Sequence, residues 1–432
     1  MISKGFLQEV IVENEDHILK DVGRITPRIG LSFPESSKKV VVVYGVRRSG
    51  KTYVLFELFR KFNGNALYVD FEDERLSKFQ VGDFEGLKES FFELKPHLPG
   101  KEAVFLLDEV QNVEGWEKFC RRLVERENIK VFVSGSSSKV LPSEMHTALR
   151  GRSWGIELLP FSFSEYLAAK GYDLNDVSLI HGRDRPKVKR EFLQFLKWGG
   201  FPEVAFLKAD AEKSKVIREY LGAMFFRDLV ERYEITNITL LDALTDSLLS
   251  SSALKFSLAA FYKQHKDQLS FSKDSLYLYY KHFLESMLIF EMRKFSPSAY
   301  KRLRNPPKIY LVDTGISRHV SSSDTGRLLE NTVYLELRRR GFEMFYYNEK
   351  NECDFIMKDQ QGGLACAQVT FELNEKNRIR EIAGLVDACK ALGLKDGTIF
   401  TYDEEEHFRA EGINISVIPF WRWSLTTGTP KF

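Results

Sequence analysis

The segment of this chain most able to do chemistry is a loop with the pattern GxxxxGK[ST], which lies between a β-branched run at 39–43 and an apolar helical stretch. In such a loop the glycines allow close backbone approach, and the amide groups and helix N-terminus point toward phosphate oxygens. We therefore expect ATP or ADP to bind here, because the correct flanks make a chance match the less favoured reading. The nucleotide-binding candidates are Gly45, Val46, Arg47, Arg48, Ser49, Gly50, Lys51, Thr52 and Tyr53.

Two pairs of side chains have the chemistry for triphosphate hydrolysis. Lys51 brings a positive charge to the β- and γ-phosphates, and the Thr52 hydroxyl is a ligand for Mg²⁺. Asp108 and Glu109 follow the apolar run 103–107, at the end of a strand where ligands bind in open α/β sheets. We expect Asp108 to hold Mg²⁺ through water and Glu109 to orient and deprotonate the attacking water. The alternative, two surface carboxylates, is disfavoured by the loop upstream.

A further serine and two arginines are candidates for contact with the γ-phosphate. Ser134 ends the apolar run 130–133 and would reach the γ-phosphate or the attacking water, whereas Ser136 is equally suited to cap a helix. Arg150 and Arg152 are candidates for the cation that neutralises charge in the transition state, within one subunit or between subunits. Arg152 is slightly favoured, and the alternative is an ordinary surface cation.

Composition indicates a folded protein and excludes several classes. The 432 residues are 43% hydrophobic and 29% charged with a net charge of +2, which rules out a disordered tail or a fibre and leaves nucleic-acid binding open. The four cysteines form no CxxC pair, so a zinc ribbon or disulfide framework is disfavoured and a reducing, cytoplasmic location is expected. The N-terminus lacks the pattern of a signal peptide, and no apolar run is long enough for a membrane span.

The elements that position these residues alternate along the chain. Strand-like runs at 39–43, 66–71, 103–107, 130–133 and 155–159 are separated by helical stretches, which predicts an α/β fold with a parallel sheet. Ser162 and Glu165 form a capping box that begins a helix, and 165–235 is mainly helical.

A second set of elements has the outline of a winged helix. Three short helical patterns between 239 and 285 are followed by strands at 288–295 and 308–312, which flank a basic segment. Six basic residues face one acid in 291–308, which suits contact with DNA phosphates, although a solvated hairpin or a protein-docking surface is an equal alternative. The DNA-binding candidates are Lys273, Lys281, Arg293, Lys301, Arg302 and Arg304.

The chain resembles the AAA-type (ASCE P-loop) ATPases of archaea and bacteria that join an ATPase core to a winged helix and a restriction-endonuclease-like C-terminal domain. The resemblance is carried, in order, by the double arginine in the loop, LLDEVQN, SGSSS, LRGR with LLPFSFSEYL, WGGFPEV, FFRDLVERY and KIYLVDTGI. It implies an AAA-like parallel five-stranded core with a helical lid. The implied domains are a core with an N-terminal arm at 1–164, a lid at 165–235, a winged helix at 236–314 and a nuclease-like domain at 315–432.

The C-terminal pattern αβββαβ allows a test of the nuclease resemblance. That family places an acid on the first helix, an Asp on a strand and ExK on the next strand, where the acids bind Mg²⁺ and the lysine activates water. Here Glu330, Asp354 and Gln368 occupy the three acid positions as a second metal site, but Thr370 stands where the lysine is needed. Lys376 and Arg378 are the nearby substitutes in sequence. We therefore expect a nuclease-like fold without cleavage.

These expectations combine into one leading hypothesis and two rivals. The leading hypothesis is a Mg²⁺-dependent ATPase whose nucleotide state is coupled to DNA binding through the winged helix and the C-terminal domain. The rivals are a nucleotide-dependent switch that binds a protein partner, and an ATP-coupled DNA nuclease. An arginine that acts between subunits would require a homo-oligomer.

Overall fold

Residues 2–34, 38–135, 148–317 and 324–426 are described by a computed structural model of the chain. They divide into two units, Met1–Leu159 and Pro160–Phe432. The first boundary lies close to the end of the predicted 1–164 core. No helix in these described ranges has both the length and the apolar character needed to cross a membrane.

The first unit is built on one parallel sheet. Its strand order is β2-β3-β4-β1-β5, and every neighbouring pair is parallel, so the predicted α/β class with a five-stranded parallel sheet is confirmed. Because all strands run the same way, their carboxyl ends share one edge. The strands are β1 Val40–Tyr44, β2 Ala66–Asp70, β3 Val104–Asp108, β4 Lys130–Gly135 and β5 Ser153–Glu157.

Helices cover both faces of this sheet, which explains why β1 to β4 are mainly apolar, whereas the edge strand β5 is partly exposed. Val40 and Val42 pack into one apolar cluster, and Val41 and Val43 pack into another on the opposite face, as the two-residue repeat of a strand requires. The N-terminal arm contributes a helix to the first cluster. The helices of this unit are α1 Lys4–Asp16, α2 Lys51–Lys61, α3 Asp83–Leu94 and α4 Trp116–Arg122.

The second unit begins with helices. The predicted capping box is confirmed, since Ser162 Oγ accepts from the Glu165 amide at 3.1 Å and the Glu165 carboxylate accepts from the Ser162 amide at 2.8 Å. A π-helical segment, Met224–Glu231, continues the last helix of the series. These helices are α5 Phe163–Ala169, α6 Ser178–His181, α7 Arg185–Trp198, α8 Pro202–Phe206 and α9 Asp210–Ala223.

A small antiparallel sheet follows, with the strand order β6-β8-β7. Three helices accompany it, and a short helix that was not predicted from the sequence lies in the basic connection between β7 and β8. The strands are β6 Leu254–Lys255, β7 Ile289–Met292 and β8 Lys308–Leu311. The helices are α10 Ile238–Ser250, α11 Leu258–His265, α12 Lys273–Glu285 and α13 Ala299–Arg304.

The C-terminal part contains a six-stranded mixed sheet in the order β13-β14-β12-β11-β10-β9. The predicted αβββαβ pattern accounts for its elements up to residue 401, and two further strands and a helix follow that the sequence analysis missed. The strands are β9 Glu343–Asn348, β10 Glu352–Lys358, β11 Leu364–Val369, β12 Asp396–Thr401, β13 Glu406–Ala410 and β14 Ile413–Pro419. The helices are α14 Thr314–Ser317, α15 Thr325–Arg339, α16 Arg378–Leu392 and α17 Phe420–Ser424.

One buried carboxylate joins two of the sequence motifs, WGGFPEV and KIYLVDTGI. Asp313 accepts hydrogen bonds from the Gly200 amide at 2.6 Å and the Gly315 amide at 2.8 Å. A Cβ at Gly199 would overlap the Asp313 carboxylate, and Gly199 has a φ of 76°. Glycine is therefore required there by both space and conformation. Burial raises the pKa of Asp313 to about 7.

Candidate functional site

The glycine-rich loop lies at the carboxyl edge of the parallel sheet, between β1 and α2. A Cβ at Gly45 would overlap the carbonyl oxygen of Leu158, and Gly50 has a φ of 96°, so both glycines are required by the backbone path. Arg48 also has a positive φ, 67°, a conformation that costs free energy in residues other than glycine. The loop is therefore held in a strained, specific shape.

Inside this loop the two groups expected to meet phosphate are buried. Lys51 Nζ donates to the Gly45 carbonyl at 3.1 Å and to the Val46 carbonyl at 3.2 Å. The Ser49 hydroxyl is buried, and it has no hydrogen-bond partner among the described residues. Buried hydroxyls normally have partners, so this orphan is consistent with a ligand that contacts the loop. The loop therefore fits a phosphate group.

Asp108, at the end of β3, is the most buried acid of the site, with 1% of its surface exposed. It accepts hydrogen bonds from the hydroxyls of Tyr68 at 2.9 Å, Ser134 and Thr52. Burial raises the pKa of Asp108, while the hydrogen bond from Ser134, the largest opposing contribution, and those from Thr52 and Tyr68 lower it. The two predicted Mg²⁺ ligands, Thr52 and Asp108, are thus near enough for the Thr52 hydroxyl to affect the pKa of Asp108.

Glu109 follows Asp108 in a left-handed conformation with φ of 47° and ψ of 40°. Its amide donates to Ser134 Oγ at 3.2 Å, and Gln111 donates to its carboxylate. Strain of this kind is concentrated at functional sites, so it marks Glu109 as a residue held in place for a purpose. Ser134 is fully buried and bridges the Asp108 carboxylate and the Glu109 amide, so in this state it orients the acid pair.

A third carboxylate, Asp70, extends the acidic edge. Asp70 on β2 is paired in register with Asp108 on β3. Burial is the main cause that raises the pKa of Asp70 to about 6, and the charge of Asp108 adds to it. Asp70 was not among the residues predicted from the sequence, although its position at a strand end beside the acid pair could have indicated it.

The two arginine candidates lie at the other edge of the sheet. Arg150 and Arg152 precede β5, and the Arg152 carbonyl accepts from the Val40 amide at 2.8 Å, at the start of β1. The loop follows the end of β1, about 13 Å away at roughly 3.3 Å per residue. Arg152 also pairs with Glu125 at 2.9 Å. Arg152 therefore lies near the start of β1, at the opposite end of that strand from the glycine-rich loop. Ser136 lies outside the described residues.

The remaining residues of the glycine-rich loop differ in their exposure and contacts, and the loop also has a contact with Arg28 that was not predicted. Tyr53 is half exposed, Val46 is buried, and Arg47 lies 3.9 Å from the Glu72 carboxylate. Arg28 donates to the Ser49 carbonyl at 2.9 Å and to the Leu159 carbonyl. It thereby connects the loop to the segment after β5. No sequence signal pointed to Arg28, because it lies in a polar segment without a motif.

In the second unit, Glu330 on α15 and Asp354 on β10 do come together, but Lys308 of β8 lies between them. Lys308 Nζ is 2.8 Å from Asp354 Oδ1 and 3.2 Å from Glu330 Oε1. Burial opposes the charge of Lys308, yet the surrounding carboxylates hold its pKa well above the ordinary value. Burial and the Asp354 charge raise the pKa of Glu330.

The rest of the predicted second metal site is arranged differently from the expectation. Gln368 Oε1 accepts from the Asp354 amide at 3.0 Å, and its Nε2 donates to Glu381, so both ends of its amide have partners. Lys376 is exposed, and Arg378 pairs with Glu406 at 2.8 Å, so neither supplies the ammonium. Among the described residues, no group of three or more His, Cys, Asp or Glu side chains is arranged to hold a metal ion.

The DNA-binding candidates fall into two groups. Arg293 pairs with Glu291 at 2.5 Å, Lys281 pairs with Glu285 at 3.3 Å, and Arg302 donates to the Ser296 carbonyl at 2.6 Å. The remaining three are exposed: Lys273, Lys301 and Arg304. Lys301 and Arg304 share the short helix α13, which has no buried residue.

Comparisons with known proteins agree with the α/β fold and the glycine-rich loop of the first unit. Residues 37–167 match the model of an AAA domain, and residues 189–326 match a domain of unknown function. The uncharacterized protein MJ1544 of Methanocaldococcus jannaschii is 35% identical over 448 residues, covering 99% of this chain and 97% of that protein. An uncharacterized protein of Haemophilus influenzae is 25% identical over 404 residues, covering 88% of this chain and 94% of that protein.

Among solved structures, the Walker-type ATPase PABY2304 of Pyrococcus abyssi is 15% identical, with a TM-score of 0.41 over 71% of this chain and 95% of that one. Residues 37–167 form an AAA-type ATPase domain. Their match to the family model agrees with the parallel sheet and the glycine-rich loop that this part of the chain contains. From its identity to MJ1544 over nearly the full length of both proteins, the chain belongs to the same family as that archaeal protein.

Proposed function

We propose that this protein is a Mg²⁺-dependent ATP hydrolase. The observation that carries the proposal is that the glycine-rich loop, with its buried Lys51, and the buried Asp108 follow the carboxyl ends of strands in one parallel sheet. Hydroxyl and carboxylate oxygens are the ligands that Mg²⁺ prefers in nucleotide sites. The loop and the acid pair thus lie at one edge of one sheet, where a triphosphate and its metal ion are bound together.

Each residue has a task in this proposal. Lys51 leaves the loop carbonyls to neutralise the β- and γ-phosphates, and the loop amides hold the phosphate oxygens. Thr52 and Asp108 hold Mg²⁺, which supplies neutralisation of the charge that develops on the phosphoryl group. Glu109 orients the attacking water and accepts its proton, and Ser134 positions Glu109 and Asp108. Arg152 would act only on the nucleotide of a neighbouring copy, which requires a homo-oligomer.

Turnover measurements on two variants test the assignment. Lys51→Ala is expected to abolish ATP turnover, because the phosphate charge loses its counter-ion. Glu109→Gln is expected to bind ATP with little change in affinity and to hydrolyse it at least about 100-fold more slowly, since general-base catalysis contributes about that much. Turnover in the wild type should stop when EDTA removes Mg²⁺.

Matched controls come from the same elements. Lys61→Ala removes an exposed lysine from the last turn of α2, and Glu114→Gln removes an exposed carboxylate a few residues after Glu109. Both should keep wild-type turnover. An unchanged rate of ATP hydrolysis in Glu109→Gln would show that Glu109 is not the general base. Turnover of ATP by Lys51→Ala would refute the proposed nucleotide site.

We also propose that nucleotide state is coupled to DNA binding by the second unit. The order α10-β6-α11-α12-β7-β8, with the sheet order β6-β8-β7, supports the proposal of a winged helix, in which α13 would lie in the wing. The observation that favours DNA is α13, which exposes Lys301 and Arg304 beside Tyr300, whose exposed fraction is 68%. Cations with an exposed aromatic ring suit phosphate contact and base stacking.

The rival partner is a protein, because α12 exposes Tyr277 and Leu278 where a recognition helix would carry cations. DNA binding in the absence of any protein decides between the two. We propose a cytoplasmic location, since the four cysteines are free thiols that suit a reducing compartment. We further propose that the C-terminal mixed sheet is a nuclease-like domain that does not cleave DNA.

A further inference from the structure

The buried ion cluster around Lys308 lies where a nuclease-like domain would hold its metal. Besides Asp354 and Glu330, the Lys308 ammonium lies 3.0 Å from Glu352 Oε1, so three carboxylates surround one cation. Only 4% of the surface of Lys308 is exposed. An ammonium has three N–H donors, and here three carboxylate oxygens lie within reach of them. No donor is left over to orient a water molecule.

The carboxylates are also fixed by other groups of the chain. Asp354 Oδ2 accepts from the Val369 amide at 3.0 Å, and Glu330 Oε1 accepts from the Tyr310 hydroxyl at 2.7 Å. Glu352 Oε2 accepts from Lys255 at 2.7 Å. The strands β6 and β8 therefore supply two cations and a hydroxyl to acids on α15 and β10. The chain satisfies these acids with its own donors.

A metal ion bound by the same carboxylates would be forced close to the ammonium. Mg²⁺ binds oxygen at about 2.0–2.1 Å, so the metal and Nζ would be neighbours in a site with little water to screen their repulsion. The lysine also comes from β8, outside the mixed sheet, while Thr370 at the position expected for a lysine donates to the Glu372 carbonyl.

From this geometry we infer that the Lys308 ammonium is the permanent cation of the cluster and takes the place of a divalent metal ion. Its function is then structural, because it joins β8 to α15 and β10. The nuclease-like domain has no metal of its own and does not hydrolyse phosphodiester bonds. This inference does not depend on the proposed ATPase, because all its residues lie in the second unit.

Binding of Mn²⁺ to the nucleotide-free, full-length protein tests the inference, with the free ion followed by electron paramagnetic resonance. Wild type and Asp354→Asn should bind the same number of Mn²⁺ ions, because Asp354 is already neutralised by Lys308. A Mn²⁺ ion that is bound by wild type and lost in Asp354→Asn would overturn the inference.

A second comparison uses the lysine itself. Lys308→Met should gain one bound Mn²⁺, whereas Lys308→Arg, which keeps the positive charge, should gain none. A folded Lys308→Met protein without the extra ion would overturn the inference. If Lys308→Met fails to fold, the comparison of wild type with Asp354→Asn still decides the question.

Cleavage provides an independent readout. Supercoiled plasmid incubated with wild type and either Mg²⁺ or Mn²⁺ should remain intact. Nicking that disappears in Asp354→Asn would show a working metal site and would overturn the inference. Nicking that persists in Asp354→Asn would come from a contaminating nuclease, and repeating the assay after its removal would then decide.

Discussion

Tyr68 on β2 donates a hydrogen bond of 2.9 Å to Asp108 on the neighbouring strand β3. Both residues are buried, with 5% and 1% of their surfaces exposed. Burial of a carboxylate raises its pKa, and each hydrogen bond to the charged form lowers it again. Tyr68 therefore helps to keep Asp108 ionised, and so available to a metal ion, although Tyr68 was not among the residues selected from the sequence.

Tyr68→Phe should therefore lower stability at pH values where Asp108 is ionised, and should lower activity at low pH. Loss of a hydrogen bond to a charged group costs about 1.5–3 kcal/mol, so we expect unfolding of the first unit at a lower temperature. The pKa of Asp108 should rise, which moves the acid limb of the kcat/KM profile for MgATP to higher pH. Calorimetry and a pH series of ATP turnover measure the two effects.

The control for this prediction is Tyr277→Phe, which removes the hydroxyl of an exposed tyrosine. It should leave both the melting temperature and the pH profile unchanged. If the acid limb in Tyr68→Phe coincides with that of wild type, Asp108 is not the group that titrates.

Gly45→Ala should destroy the phosphate loop, because its Cβ would overlap the backbone oxygen of Leu158. Either the loop or the end of β5 would have to move, so we expect the affinity for ATP to fall at least about tenfold, which corresponds to about 1.4 kcal/mol. Titration with a fluorescent nucleotide measures the change. Gly82→Ala is the control, since Gly82 has a φ of −68° and no atom lies within 4 Å of the added Cβ. Wild-type affinity in Gly45→Ala would contradict the proposed backbone constraint.

Most strands of the first unit could be predicted from the local pattern of apolar residues in the sequence. Strands β1 to β4 are mainly apolar runs because helices bury both faces, so their positions are visible in the sequence. Asp108 and Glu109 could be selected because a strand end beside a glycine-rich loop has a known geometry. Tyr68 and Arg28 could not, since they reach the site through pairing of strands and loops that are distant in sequence.

In the C-terminal part, even more of the important contacts could not be predicted from local sequence pattern. Lys308 was assigned to the basic wing by its neighbours in sequence, and only the packing of β8 against α15 and β10 turns it into the counter-ion of Asp354. The cysteines looked scattered, yet Cys353, Cys366 and Cys389 are buried in one apolar cluster of the C-terminal part. In both cases the deciding contacts join residues from different elements, which no local pattern records.

Asp313 should make the stability of the second unit depend on pH. Burial raises its folded pKa to about 7 from an ordinary value of 3.8, so the folded state binds the proton more tightly than the unfolded state. The stabilisation is present below about pH 4 and is lost as the pH rises to about 7, by up to about 4 kcal/mol. Asp313→Asn should lack this dependence and should also be destabilised at low pH, because its amide cannot accept from both Gly200 and Gly315.

Calorimetric melting temperatures at pH 5.0 and 7.5 test this expectation in wild type and variant. The difference between the two proteins isolates Asp313 from the other groups that titrate. Asp267→Asn, which changes an exposed carboxylate, should follow wild type at both values. Parallel pH dependence in wild type and Asp313→Asn would contradict the raised pKa.

DNA binding through α13 should be visible in its dependence on salt. Each protein cation that contacts a phosphate contributes about 0.9 to the slope of log affinity against log salt concentration. The double variant Lys301→Gln/Arg304→Gln should therefore bind DNA more weakly, with a slope smaller by about 2. Filter binding with duplex, junction and single-stranded DNA between about 50 and 200 mM salt measures both quantities.

A control with equal charge loss separates local contact from a general effect of charge. Lys20→Gln/Lys215→Gln removes two exposed lysines elsewhere and should keep the wild-type slope. Repeating the titration with ATP in Glu109→Gln, which retains the nucleotide, and then with ADP tests the coupling of nucleotide state to DNA affinity. If no DNA form binds at low salt, the winged helix serves a protein partner instead, and Tyr277 and Leu278 become the residues to substitute next. If DNA binds equally with ATP and ADP, the two activities are independent.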